Sequence, residues 1–177
     1  SDLKDTHAGK TGYLIGNGPS VQIEDLEQLT EHVIFACNRI YLAFDDTKFR
    51  PSYLLSADEQ MIEDFGEEMI AHAEQVFFTA KLKPKVKGEF TWFRMRNGRP
   101  FVFSKNAQRE IMTGGGTLIT AIQIGYWMGI REFYLYGVDH SFKFEKKHGE
   151  IKNAEGDGNH FIKGYRSGKK WQAPVID

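Results

Sequence analysis

The sequence predicts an α/β domain, Rossmann-like and doubly wound, with a mainly parallel sheet and helices on both faces. Three observations carry this expectation. Short apolar runs alternate with stretches of helical periodicity along the 177 residues. Most of the runs end in glycine, serine or asparagine, as strands entering turns do. The first run, Tyr13-Leu14-Ile15, leads straight into Gly16-Asn17-Gly18-Pro19-Ser20, a glycine turn between strand and helix.

The elements follow in order. Residues 13–15 form a buried strand, and Ser20 is placed to cap a helix over about 23–31, with acidic residues in its first turn. Val33-Ile34-Phe35-Ala36-Cys37 is the second strand and 52–56 the third. Asp58 then caps a helix reaching about His72, and Val76-Phe77-Phe78-Thr79 is a fourth strand. Residues 81–100 are basic, aromatic and turn-rich, with irregular or antiparallel structure expected around 90–93. Leu118, Ala121, Ile122, Gly125 and Met128 lie at helical spacing, which predicts a helix over 116–129, and 133–137 read as the last strand. Residues 140–177 are rich in Gly, Lys and His and lack periodicity. A segment of that length is usually functional or disordered, and it is expected to be a lid over the site, its lysines attracting phosphate.

Composition narrows the functional classes. The apolar share of 41% and charged share of 27% are those of a globular protein, and the length suits one domain, 1–177. The polar start and the abrupt end predict a domain excised from a longer protein. A formal net charge of −1 gives no overall field toward nucleic acid or an anionic membrane. Basic clusters at Lys81, Lys83, Lys85 and Lys87, at Lys143, Lys146 and Lys147, and at Lys163, Arg166, Lys169 and Lys170 are local, and their ordinary role is a solvated surface. No apolar run nears the roughly 20 residues of a membrane span, and there is no signal-peptide pattern. The single Cys37 excludes an internal disulfide and fits a reducing, cytoplasmic setting, at most peripheral to an inner membrane. No metal site is expected, because His140, His148 and His160 lack the His-Glu-x-x-His spacing.

Two glycine-rich loops carry the functional expectation. Gly16 and Gly18 permit a tight turn and close approach to a ligand; Pro19 stiffens it, Asn17 offers a donor and an acceptor, and a following helix presents free N–H groups to an anion. The loop is neither a Walker A motif nor a Gly-x-Gly-x-x-Gly fingerprint, and a plain strand-to-helix turn is its alternative. Thr113-Gly114-Gly115-Gly116-Thr117 precedes another helix and suits a phosphate or carboxylate, with a flexible hinge as its alternative. Asn38, at the end of the second strand, is placed either for a ribose or sugar hydroxyl or to satisfy a loop. Asp58 is a site residue or only a helix cap. Asp139 ends the last strand, where a carboxylate binds hydroxyls, a metal or a proton, or caps a turn. His160, in Gly158-Asn159-His160-Phe161, is the candidate base for a sugar hydroxyl.

The two loops, Cys37-Asn38-Arg39 and the run from Gly129 to Asp139 occur in this order in two related groups. The chain resembles the bacterial lipooligosaccharide sialyltransferases and the domain-of-unknown-function 115 family, which includes archaeal 6-hydroxymethylpterin diphosphokinases and flagellin glycosyltransferase-like proteins. The resemblance spans about residues 12–161. The sialyltransferase likeness implies an inverting, metal-independent transfer from a CMP-activated sugar, sialic acid or Kdo-like, to a glycan acceptor in surface glycan synthesis. No cofactor is then required. Asn17, Ser20 and Asn38 would face the donor, Gly115, Gly116 and Thr117 its carboxylate or phosphate, with His160 as base. Those enzymes carry a tyrosine two residues after the matching Asp, where this chain has Ser141. Lys143, Lys146 or Arg166 would have to supply the leaving-group charge instead. The pterin diphosphokinase likeness implies ATP and Mg²⁺, with Asp58 and Asp139 as ligands. A non-catalytic nucleotide-sugar-binding module is the third reading.

Overall fold

The computed structural model describes residues 3–29, 31–98, 100–112, 114, 116–139, 151–153, 160–166 and 170–172. Strand β1 (Thr11–Ile15) pairs in parallel with β2 (Val33–Cys37), β2 with β3 (Tyr53–Leu55), β3 with β4 (Val76–Thr79), and β4 with β5 (Thr91–Phe93). The chain then makes a small parallel pair, β6 (Met95–Arg96) with β7 (Ile111–Met112). It returns along a helix to β8 (Glu132–Tyr136), which lies on the other side of β1, Thr11 opposite Glu132 and Ile15 opposite Tyr136. The sheet order is therefore β5-β4-β3-β2-β1-β8. Its direction of growth reverses between β1 and β8, which makes that gap the topological switch point.

Both faces of this sheet are covered, as a parallel sheet requires. All five residues of β2 are buried, and alternate ones serve opposite cores. Helices α1 (Ile23–Leu26) and α2 (Glu59–His72) cover one face. There Leu26, Met61, Ile62, Phe65 and Met69 pack with Ile15, Ile34, Ala36, Leu54 and Phe78. Helix α3 (Gly116–Trp127) covers the other, where Ala121, Ile124 and Trp127 pack with Leu14, Phe35, Leu55 and Phe77. Complete burial of side chains such as Phe35 and Phe78 contributes roughly 1.5–3 kcal/mol each. Asp58 starts α2 by accepting from the Met61 N–H at 3.0 Å, as the sequence suggests.

Three local expectations are corrected. The first helix is only one turn, followed by a 3₁₀ turn at Glu27–Leu29, and its capping position is Gln22 rather than Ser20. The cause is tertiary: the Glu27 carboxylate turns aside to accept from Thr47 Oγ1 at 3.0 Å and the Lys48 N–H at 3.2 Å. Residues 91–93 are neither irregular nor antiparallel but extend the main sheet in parallel. The late segment carries an antiparallel pair, β9 (Ile151–Asn153) with β10 (Lys170–Gln172). Most of the expected lid, including His140, Ser141, Lys143, Lys146 and His148, lies outside the described residues.

Residues 160–166 return to the body of the domain. Tyr165 is buried in the α2-side core. Arg39, itself buried, donates from Nη1 to the Gly164 and Tyr165 carbonyls at 3.0 and 2.5 Å, and its guanidinium lies 3.8 Å over the Phe65 ring. A charged side chain thus ties the late segment to α2.

Near the start of β3, His7 Nε2 is 2.7 Å from the Tyr53 hydroxyl, and its Nδ1 is buried with no partner among the described residues. Burial first, and Lys10 second, lower the His7 pKa from 6.5. The unfolded chain then binds the extra proton more readily. The stability His7 contributes is complete above pH 6.5 and is lost as pH falls from there toward the lowered folded value. Urea midpoints measured from pH 7.5 to 5.5 are expected to fall less steeply in His7→Gln than in the parent. Parallel profiles would overturn this.

Candidate active site at the strand ends

The site is assembled where β1, β2, β3 and β8 end. Beyond β1 the chain stays zipped to β8: the Gly16 N–H donates to the Tyr136 carbonyl at 2.8 Å and the Gly18 N–H to the Gly137 carbonyl at 2.9 Å. Only glycine fits here. A Cβ on Gly16 would lie 2.3 Å from the Gly137 carbonyl oxygen, and one on Gly18 would lie 1.9 Å from Asp139 Oδ2. Gly137 itself has φ +68°, the left-handed region that favours glycine. Asp139 fills the space Gly18 leaves and accepts from the Ser20 N–H at 3.0 Å. Ser20 and Pro19 are exposed at the tip of the loop. The anion-binding helix expected behind this loop is reduced to the four residues of α1.

Asn17 is the buried member of the loop, 7% exposed. Its Nδ2 donates to the Cys37 carbonyl at 2.7 Å, pinning the loop to the end of β2. Its own carbonyl accepts from the Phe161 N–H at 3.1 Å, which brings the neighbouring His160 to the same strand end. Its Oδ1 is buried and has no partner among the described residues. A buried amide oxygen without a donor costs roughly 1–3 kcal/mol, so an ordered water or a ligand N–H or O–H is the natural complement.

Asn38 adopts φ +53°, tolerable for Asn in a tight turn. Its Oδ1 accepts from Ser56 Oγ at 2.7 Å. It also hydrogen-bonds the Tyr165 hydroxyl, whose pKa is nonetheless raised because burial outweighs that bond. His160 stacks flat on the Tyr165 ring, with 3.7 Å between centroids and 10° between planes. Cys37, buried just below, has its thiol pushed up to about 12 by burial, so it is no nucleophile.

At the end of β3, Thr117 Oγ1 accepts from the Ala57 N–H at 3.2 Å, so the start of α3 sits beside Ser56 and Asp58. Gly116 opens that helix at φ +75° with open space where a Cβ would be. Gly115 lies outside the described residues. Asp58 divides its carboxylate between capping α2 and an ion pair with Arg166, Nη2 to Oδ2 at 3.3 Å. Arg166 is 6% exposed, and its Nε and Nη1 have no acceptor among the described residues.

Asn17, Asn38, Asp58, Thr117, Asp139 and His160, read from sequence, thus gather through these contacts along adjoining strand ends. Sequence reasoning missed Tyr165 and the anchoring role of Arg39, and it named Arg166 as one charge in a basic cluster and as one of three candidates for the leaving-group charge, without its pairing to Asp58. The one available signal was an aromatic residue and an arginine side by side in a polar segment. Among the described residues, no three His, Cys, Asp or Glu side chains group as a metal site, and no helix is long and apolar enough to cross a membrane.

Comparison with known proteins identifies the family of this chain. The family described as 6-hydroxymethylpterin diphosphokinase MptE-like matches residues 1–145, and the chain belongs to that family. No curated protein matches the chain. Among solved structures, the MAf glycosyltransferase from Magnetospirillum magneticum AMB-1 is similar at 15% identity and a TM-score of 0.48, over 85% of this chain and 29% of that one. The chain therefore spans less than a third of that protein.

Proposed function

We propose that this MptE-like family member binds a nucleotide-activated donor at the β1/β8 switch point and transfers a group from it, and that the group is a sugar. The observation that carries the reading is Asn17, buried in a glycine loop at the switch point with its Oδ1 unpartnered among the described residues. Such an acceptor answers a donor group of a base or sugar. Gly16, Gly18, Pro19, Ser20, Asn38, Gly116 and Thr117 complete the donor-facing set, together with Gly115. The donor is a CMP-activated acidic sugar of the sialic acid or Kdo type, and the acceptor a surface glycan hydroxyl, which implies work in the cytoplasm or at the inner face of its membrane.

His160 supplies the chemistry. In an inverting transfer the acceptor oxygen forms its bond to the anomeric carbon while the bond from that carbon to the phosphate oxygen breaks. The electron pair leaves with CMP, and the acceptor proton goes to the imidazole. Asp139, holding the Ser20 N–H, shapes the donor loop.

A second reading has the family match in its favour: diphosphate transfer from ATP to a hydroxymethyl pterin. Mg²⁺ is held chiefly by substrate phosphates with one or two carboxylates. Here those carboxylates would be Asp139 and Asp58, both with protein partners already.

A thermal-shift panel of CMP, CMP-sugars and ATP, with and without Mg²⁺, separates the readings. CMP or a CMP-sugar is expected to raise the melting temperature, and Asn17→Ala to abolish that rise. A response to ATP and to no cytidine nucleotide turns the reading to diphosphate transfer. Silence toward every nucleotide leaves a non-catalytic module.

A further inference from the structure

We propose that Arg166 is an oxyanion-binding residue of this site, its guanidinium held at the end of β3 to take phosphoryl oxygens of the bound donor. The inference rests on the donor reading above and names the part of the donor that this side chain meets. A guanidinium brings five N–H donors in a rigid plane and stays charged at any working pH. Here the group is 6% exposed, yet only Nη2 has an acceptor, Asp58 Oδ2 at 3.3 Å, while Nε and Nη1 have none among the described residues. A buried cation is tolerated when it is paired and its donors are satisfied. Asp58 cannot satisfy it alone, because the other carboxylate oxygen caps α2.

The surroundings show that the placement is built. Tyr165, next in the chain, is locked into the core, and Arg39 grips the Gly164 and Tyr165 carbonyls. The main chain that carries Arg166 is therefore fixed here, and its ion pair with Asp58 orients the guanidinium. Through Asp58 it adjoins Ala57, which bonds Thr117 at the start of α3. The missing acceptors are oxygen atoms of an anion. Nε and Nη1 lie on different edges of the guanidinium plane, so filling both takes more than one acceptor group. A diphosphate offers two phosphoryl groups, and the phosphate and carboxylate of an acidic sugar nucleotide offer the same pair of charges.

The test is calorimetric binding to the full chain of cytidine, CMP, CDP, adenosine, ADP and pyrophosphate, for the parent, Arg166→Met and Arg166→Lys. The expected result is that both variants bind the phosphate-bearing ligands roughly 10- to 100-fold more weakly, the loss of a charge-assisted hydrogen bond or two. Any affinity for the bare nucleosides should be unchanged. Unliganded Arg166→Met should melt no lower than the parent, since it removes a buried, under-satisfied charge. If Arg166→Met does not fold, Arg166→Lys carries the comparison, because it keeps the charge and loses the planar fork.

Unchanged affinity for phosphate-bearing ligands in the variants overturns the proposal and leaves the donor reading standing. Lower melting with no change in the phosphate contribution assigns Arg166 a merely structural pairing with Asp58 and overturns it too. Pyrophosphate binding that depends on Arg166, with no nucleotide bound, upholds the residue's role and removes the donor reading. A parent chain that binds neither pyrophosphate nor any nucleotide overturns both.

Discussion

Gly16→Ala is expected to destabilise the domain by about 2–4 kcal/mol and to lower its melting temperature by roughly 5–15 °C, with donor binding lost. The added methyl group would sit 2.3 Å from the Gly137 carbonyl oxygen and 2.9 Å from its carbon. Those are backbone atoms, so no rotamer change relieves the clash. The only relief is to separate β1 from β8, and that breaks the two bonds by which Gly16 and Gly18 zip onto Tyr136 and Gly137. It also shifts Asp139 away from the Ser20 N–H. Gly116→Ala is the control. Its Cβ meets nothing within 4 Å, and its cost is only that of holding φ +75° in an L-residue, roughly 1–2 kcal/mol. Thermal melts of the two variants side by side check the argument. Equal losses would mean that the close approach of the two strand ends is not what demands glycine at position 16.

The contrast between those glycines shows what the sequence discloses. The loop at 16–20 was legible because glycine between an apolar strand and a polar turn is a steric requirement written into the chain itself. The same holds for Asp58 and α2, where the cap, the apolar spacing and the stop near His72 are all local. The strand Val76–Thr79 was legible as a short apolar run between polar turns, read to the residue. What failed was set by distant partners. The helix after Ser20 was expected to be longer because nothing near Glu27 announces that its carboxylate bonds Thr47 and Lys48. β5 was not recognised as part of the main sheet because its ladder is made with β4, and Trp92 in its centre is 43% exposed, which blurs the alternation. In the site, the bond from Arg39 to the Tyr165 carbonyl joins residues 126 apart. No periodicity or motif spacing encodes such a link.

That link gives the late segment two parts with different duties. Residues 164–166 are fixed by Arg39, by the burial of Tyr165 and by Asp58. His160 and Phe161 are fixed by stacking on Tyr165 and by the bond to the Asn17 carbonyl. One short stretch of chain therefore holds the candidate base against the glycine loop and Arg166 against Asp58. A substitution at Tyr165 should disturb both, whereas one at His160 should disturb chemistry alone.

His160→Ala is accordingly expected to lower turnover by about 10²–10⁴-fold, the usual loss on removing a general base, while donor affinity stays within a few-fold. A hydroxyl is far too weak an acid to give up its proton unaided near neutral pH. The transfer needs a group within hydrogen-bond reach that accepts the proton as the new bond forms. An imidazole ring nitrogen is the side-chain acceptor most often used for that task. Asp139, the next candidate, has its Oδ2 turned to the Ser20 N–H, and moving it would deform the donor loop. Truncating His160 leaves the main-chain bond from Phe161 to Asn17 in place, so the donor site should persist. It removes the ring stacked on Tyr165. The measurement is the rate at saturating donor and acceptor, beside the donor dissociation constant. A fall in rate with unchanged affinity assigns the imidazole to the chemical step. An equal loss of affinity makes its stacking on Tyr165 the important contact, and undiminished turnover passes the base role to Asp139 or His140.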